Sequence, residues 1–330
     1  MTNTTLPLDH IYAPVRADLE TVGREIKSVA EVDYPPTAEL LRYTLSGGKG
    51  IRPALTLLCG TFYNYDLKLL IPMATAIELM HTATLVHDDA IDKSDVRRGR
   101  ATLNKIWGED RAVLLGDYLF ARSGEFCTTT GNVRVIMLFI RTLSTISSGE
   151  LIQSFDAFRL EQTREHYLER IARKTAALFA TATESGAILS QAPEDSVRIL
   201  REYGYNLGIA FQIIDDILDF TGTEEEMGKP IGSDLAQGTL TLPAMLILEQ
   251  YPQDNPVRAI FTRRDMPEAE KQAKIKQAIA MVRGSALEKQ CFHLAADYCD
   301  LACAELGRLP DKPGRRSLRE LAEIVLKRNK

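Results

Sequence analysis

The stretch Glu78-Leu-Met-His-Thr-Ala-Thr-Leu-Val-His-Asp-Asp-Ala-Ile-Asp92 is an apolar run that ends in three carboxylates. At about 100° per residue, His81, Thr84, Leu85, Asp88 and Asp92 fall on one face of a helix. Asp88 and Asp92 stand one turn apart, and like charges at that spacing cost an isolated helix about 0.2–0.5 kcal/mol. A divalent cation is the natural neutraliser. Oxygen-only donors suit Mg²⁺, which keeps several waters and takes one or two carboxylates plus substrate phosphates. A lone acidic pair is more often a solvated helix face, so repetition decides the matter. Tyr-Asn-Leu-Gly-Ile-Ala-Phe-Gln-Ile-Ile-Asp-Asp-Ile-Leu-Asp-Phe, from Tyr205 to Phe220, repeats the device with Asp215, Asp216 and Asp219. Gln212 lies three residues before Asp215 on the same side. Two apolar helices, each carrying Asp-Asp-x-x-Asp, predict facing walls of one cavity with metal ions between them.

The totals fit that picture. A chain of 330 residues with 45% apolar and 26% charged residues belongs to the soluble globular class. The net charge of −5, with no basic patch interleaved with aromatics, argues against nucleic-acid binding. Aromatics at 7% and short β-branched runs exclude an all-β fold. Cys59, Cys127, Cys291, Cys299 and Cys303 are odd in number and widely spaced, and no leader-like apolar segment opens the chain. A reducing, cytoplasmic setting is expected. Cys291, His293, Cys299 and Cys303 share one helical pattern but face different ways, so they read as core rather than zinc ligands. No unbroken run of 18 apolar residues occurs, and no transmembrane segment is expected.

Helices are predicted over 8–30, 37–45 with Thr37 as cap, 52–62 opening on Arg52-Pro53, 66–89, 110–127, 132–153, 164–190 and 194–221. Five more follow to residue 328. The segments 92–110 and 221–239 read as long loops, a length usually tied to function or disorder. No strand pattern emerges. The reading is one all-α domain over 1–330, with central helices around a deep cavity.

Basic residues cluster beside both acidic stretches. Lys49 and Arg52 flank the loop Ser46-Gly-Gly-Lys-Gly50, Arg97 and Arg98 follow the first triplet, Lys229 follows the second, and Lys174 lies between. Each alone is an ordinary surface cation, and glycine after Lys49 rules out a Walker loop. Together they fit a polyphosphate site. The whole order is Gly47-Gly48-Lys49-x-x-Arg52-Pro53, His81, Asp88-Asp89-x-x-Asp92, Arg97-Arg98-Gly99, Lys174-Thr175, Phe211-Gln212-x-x-Asp215-Asp216-x-x-Asp219 and Gly228-Lys229-Pro230-x-Gly232-x-Asp234. This resembles the trans-isoprenyl diphosphate synthases, the polyprenyl synthetase family, over nearly the full chain.

The resemblance implies an all-α fold of the isoprenoid synthase type, a homodimer, and head-to-tail condensation of isopentenyl diphosphate with an allylic diphosphate. It implies that Asp88, Asp92 and Asp215 ligate Mg²⁺ and that Asp89, Asp216 and Asp219 support them directly or through water. Arg97, Lys174 and Lys229 would hold the allylic diphosphate. Lys49, Arg52, His81 and Arg98 would bind isopentenyl diphosphate, and Thr175 and Gln212 would turn oxygen dipoles toward the allylic cation. Two departures stand out: Gly50 where many members carry a basic residue, and Thr239 where short-chain members often carry lysine. Product length should depend on side chains before Asp88. Ala83 and Thr84 are small, which points to a product of thirty carbons or more; Met80 and Ile77 would set the floor, and Ala83→Tyr should shorten the product. Within the family the alternative is geranylgeranyl diphosphate. A terpene cyclase is disfavoured by the second Asp-Asp-x-x-Asp, and a non-catalytic partner subunit by the intactness of both triplets.

Overall fold

Asp66 closes the N-terminus of the first acidic helix, Leu67–Ile91, by accepting from the Lys68 backbone N–H at 3.0 Å. The second, Glu194–Thr221, follows Pro193, whose missing N–H costs nothing there. These two helices are the axis of the molecule. The structure, a computed structural model, describes residues 8–47, 50–228 and 230–327. Lys49 and Lys229, two of the expected phosphate-binding cations, lie outside the described residues.

The fold is all-α, as the two repeated apolar helices required. The helix Ala177–Leu189 packs against both acidic helices, and Ile51–Gly60 packs against Leu67–Ile91 and against Ala177–Leu189. Glu109–Thr128 covers the other flank of the first acidic helix, and Ala286–Cys303 covers the second. Close approach on that second helix is bought with glycine. A Cβ on Gly208 would stand 2.6 Å from the Ala176 Cα, and one on Gly204 would stand 2.6 Å from the Phe179 carbonyl oxygen. Most core side chains form one cluster; a smaller one, containing Leu79, Ala83, Val86, Leu115 and Leu119, lies between Leu67–Ile91 and Glu109–Thr128.

The structure departs from several sequence expectations. The expected helix 8–30 is split into Leu8–Ile11, a 3₁₀ turn at Ala13–Val15 and Arg16–Ser28, because Pro14 lacks the N–H a continuous helix needs. The next helix begins at Pro35, with Tyr34 rather than Thr37 at the cap position. The segment 92–110 contains a minimal hairpin, Val96–Arg97 paired with Arg100–Ala101, and a short helix, Leu103–Trp107. The segment 221–239 contains two one-turn helices, Glu224–Met227 and Ser233–Gln237. The stretch 164–190 is interrupted by a π turn at Ala172–Ala176. Gly50, noted as a departure, adopts φ +59° at the cap of Ile51–Gly60, a left-handed conformation that a basic residue would enter only with strain. Leu67–Ile91 and Val133–Phe155 are also long and apolar enough to cross a membrane by length and composition alone. They fall outside the criterion of an unbroken apolar run because polar residues punctuate both, and more than half of the apolar window in Leu67–Ile91 is buried inside the protein.

The glycine approach gives a test. Gly208→Val should destabilise the chain by about 1–3 kcal/mol through forced separation of packed helices. Gly23→Ala, in a helix where nothing lies within 4 Å of the added methyl, should be neutral or stabilising by about 0.5–1 kcal/mol. Thermal melting of both variants measures this, and equal melting points would reject the close-packing argument.

Candidate active site

Lys174 and Thr175 are neighbours in sequence, yet they serve opposite walls. The π turn at Ala172–Ala176 widens the helix where they sit, a distortion that often marks functional positions. The Thr175 hydroxyl donates to Gln212 Oε1 at 2.5 Å, on the second acidic helix. The Lys174 ammonium reaches Glu150 at 2.7 Å and lies within electrostatic range of Asp88 and Asp92 on the first.

On the first wall, His81, Thr84, Leu85, Asp88 and Asp92 are all half-buried, whereas Ala83, Val86 and Ala90 are packed in the core. The face read from helical periodicity is therefore the accessible one. Asp89 is turned aside and accepts from Arg97 Nε at 2.7 Å. Burial raises the Asp89 carboxyl, Arg97 opposes that, and repulsion from Asp88 and Asp92 raises it again. Burial likewise raises Asp92; Lys174 works against the rise, while Asp88 and Asp234 add to it. One turn back, burial pushes the His81 imidazolium well below its ordinary pKa, and the charges of Arg52, Arg98 and Arg97 push it the same way. His81 is thus a neutral donor-acceptor beside three guanidinium groups. Arg52 lies over the Phe179 ring at 4.5 Å, and the half-buried Glu78 carboxyl lies within electrostatic range of Arg52 and Arg98. Arg52, His81 and Arg98 are brought together.

On the second wall, Asp215 is half-buried, and Asp216 and Asp219 are enclosed. Asp216 accepts from the Tyr167 hydroxyl at 2.7 Å and from Gln212 Nε2 at 2.8 Å. Burial, then repulsion from Asp234, raises its carboxyl above the usual carboxylate range, while these donors and Arg170 oppose the rise. Asp219 accepts from the Ser233 hydroxyl at 2.9 Å and from the Asp234 N–H at 3.1 Å, so it clamps the loop that carries Asp234. Asp234 is felt by both Asp92 and Asp216 and so ties the two walls to one space.

The donor set is all oxygen: carboxylates, a hydroxyl and an amide. Among the described residues no three His, Cys, Asp or Glu side chains converge closely enough to cage an ion alone. That arrangement fits a cation held by one or two carboxylates from each side and completed by waters and phosphate, the Mg²⁺ pattern rather than the zinc one. His87, immediately before Asp88, points away; its Nε2 lies 3.0 Å from the Val113 carbonyl oxygen, and its ring packs edge-on to Phe120.

Three loops meet at the mouth. The Gly99 N–H points to the Gly228 carbonyl at 3.5 Å, and Arg100 donates to Ser46 Oγ at 2.7 Å. Gly228 has φ +63°, and a Cβ there would stand 2.4 Å from the Arg98 Cα. Sequence reasoning missed Glu150 and Tyr167 and gave Asp234 no role. Glu150 follows a glycine on an apolar helix, which was a usable signal; the Tyr167 contact spans 49 residues and left none.

The polyprenyl synthetase family model matches residues 35–282. The chain is 41% identical to heptaprenyl diphosphate synthase component 2 of Geobacillus stearothermophilus, covering 98% of this chain and 100% of that one. It is 32% identical to the octaprenyl diphosphate synthase of Escherichia coli, covering 95% and 94%. Among solved structures, a Caulobacter crescentus polyprenyl synthase complexed with calcium and isoprenyl diphosphate superposes with TM-score 0.90 at 34% identity, covering 96% of this chain and 97% of that one.

Tyr167→Phe tests the second wall. It strips one donor from the enclosed Asp216 carboxylate and should cost about 1–3 kcal/mol of stability. It should also raise the divalent-ion concentration that half-saturates the protein. No change in melting or in ion titration would show that the hydroxyl is incidental.

Proposed function

The chain belongs to the polyprenyl synthetase family, and on that premise we propose that its paired aspartate walls hold Mg²⁺ against an allylic diphosphate at the mouth of an apolar well. It is a prenyltransferase, a trans-polyprenyl diphosphate synthase, of a family that is divalent-metal dependent. The observation that carries the site is the shared neighbourhood of Asp92, Lys174, Asp234 and Asp216, which joins both triplets. In this reading Asp88, Asp92 and Asp215 face the ions. Asp89, Asp216 and Asp219 support them from behind through Arg97, through Tyr167 and Gln212, and through Ser233 and the Asp234 N–H. Bound Mg²⁺ supplies Lewis-acid stabilisation of the departing pyrophosphate.

The chain's own residues divide the remaining work. Lys174, Arg97 and Lys229 hold the allylic diphosphate. Lys49, Arg52, His81 and Arg98 hold isopentenyl diphosphate, with His81 kept neutral by burial and by its guanidinium neighbours. Thr175 and Gln212, already bonded to each other, present oxygen dipoles to the developing allylic cation. No side chain is assigned as general base; the departing pyrophosphate takes the proton.

For the product we propose thirty carbons or more. The small side chain on the accessible face is Thr84, whereas Ala83 is buried among Leu79, Val86, Leu115 and Leu119. The two core clusters share only partly buried packing partners, Ile26, Phe120 and Phe126. An apolar seam between packed cores is the natural course for a growing prenyl chain. We also read the chain as one domain in a cytoplasmic setting, in keeping with its five free thiols.

Assembly is proposed through the outer face of Val133–Phe155, where Val133, Met137, Ile140, Leu151 and Phe155 are exposed at helical spacing. A second copy of the chain is the simplest occupant. The relatives named as component 2 from Geobacillus stearothermophilus and Bacillus subtilis favour a second reading, an unlike partner.

Three measurements check these statements. Asp92→Asn should lower turnover with farnesyl and labelled isopentenyl diphosphates by about 10²–10³-fold, and chelator should abolish elongation in the wild type; survival of activity in chelator overturns the metal reading. Thr84→Tyr should shorten the chromatographed product with little loss of stability, whereas Ala83→Tyr should also destabilise by about 1–3 kcal/mol through overpacking. An unchanged product from Thr84→Tyr removes that residue from the well. Light scattering of the purified chain should give a dimer that elongates alone; a monomer without activity would transfer the stripe to an unlike partner.

A further inference from the structure

Lys174 has three carboxylates around it, and only two belong to an Asp-Asp-x-x-Asp triplet. The third, Glu150, projects from Val133–Phe155 and makes the direct contact, Nζ to Oε1 at 2.7 Å, with both side chains about one quarter exposed. The approach is built into both backbones. Gly149 is buried, and a Cβ there would stand 3.0 Å from the Arg173 Cβ and 3.2 Å from the Lys174 nitrogen. The neighbouring cation is sorted the other way: Arg173 donates to Glu169 at 2.6 and 3.1 Å and to Ser148 Oγ at 3.4 Å. Glu150 and Glu169 therefore separate two adjacent cations, one inward and one outward.

We propose that Glu150 is a positioning residue that holds the Lys174 ammonium to the α-helical wall opposite the aspartates and so keeps it out of the metal positions. This rests on the proposed reading of the triplets as metal-holding. A half-buried ammonium takes a partner, because stripping water from an unpaired charge is costly. Without Glu150 its remaining partners are Asp88 and Asp92, the two carboxylates nearest to it in charge. A lysine settled on them would be a built-in competitor for the cation. With Glu150 present, the ammonium keeps its charge and its place, and Asp88 and Asp92 stay open to metal. The same tether leaves Lys174 beside the space where diphosphate oxygens would lie.

The test uses the full-length protein and Mn²⁺ as a spin probe, without substrate. Free Mn²⁺ is titrated by electron paramagnetic resonance against wild type, Glu150→Gln, Lys174→Met and the double variant, with melting temperatures recorded alongside. Glu150→Gln should weaken Mn²⁺ binding about tenfold, within the coupling expected for residues in contact. Lys174→Met should bind at least as tightly as wild type, and adding Glu150→Gln to it should change nothing further. If the double variant binds Mn²⁺ more weakly than Lys174→Met, Glu150 is itself a ligand and the proposal is overturned. It is also overturned if Glu150→Gln binds as wild type does. Should glutamine unfold the chain, Glu150→Asp keeps the charge but shortens the reach, and must weaken binding only when Lys174 is present. Wild type that binds no Mn²⁺ even when inorganic pyrophosphate is added would instead sink the metal reading itself, a result distinct from the loss of this inference.

Discussion

Carboxylates gathered in a half-buried space repel one another and lose hydration, and the architecture around this site answers that single cost. Asp88, Asp92, Asp216 and Asp234 border one region, and the carboxyls of Asp92 and Asp216 are raised by burial before any neighbour is counted. The protein offsets part of the repulsion with fixed cations and donors: Arg97 on Asp89, Tyr167 and Gln212 on Asp216, Ser233 and a backbone N–H on Asp219. Each of these fixed partners falls on a buried carboxylate of the triplets. Asp88, Asp92 and Asp215 are the half-buried members, the ones that face the metal in the proposed reading.

Rigidity makes that division possible. The second acidic helix is locked to its neighbour by glycines at 204 and 208, where no Cβ could fit without moving backbone. The first is packed on Glu109–Thr128 through an apolar face distinct from its acidic one. Between them the π turn gives two adjacent side chains, Lys174 and Thr175, different walls to serve. The loops at the mouth are also fastened to each other, through Gly99 to Gly228 and Arg100 to Ser46.

Helical periodicity made the two acidic helices legible, with their bounds and inward faces, because the apolar pattern and the carboxylate spacing obey the same 3.6-residue repeat. The split at Pro14 was missed although proline was visible, since amphipathic spacing continued across it. The π turn was not legible: its residues pack against Gly208 and Gly149, which stand far from it in sequence. Tyr167 was missed for the same reason, and although the glycine before Glu150 signalled a close approach, the partner of each is fixed by how helices meet. Asp219 and Asp216 look equivalent in sequence, yet one clamps a loop and the other is held by a tyrosine. The motif gives the carboxylates, and the tertiary structure assigns them.

The helix Val133–Phe155 carries a further consequence of this geometry. Its inner side contributes Phe139, Thr142, Ile146 and Gly149 to the packed interior, and Glu150 to Lys174. Its outer side presents Val133, Met137, Ile140, Leu151 and Phe155 to the surroundings. Leu151 is covalently next to Glu150, so whatever covers the outer stripe presses on the segment that holds the lysine. Interiors this close-packed transmit displacement rather than absorb it. Covering an apolar stripe of this kind is favourable in proportion to the area removed from water, and that free energy is available to hold the helix at one depth. Were a partner to seat on the outer stripe, as proposed above, assembly and the Glu150 contact with Lys174 would fall to opposite sides of a single helix.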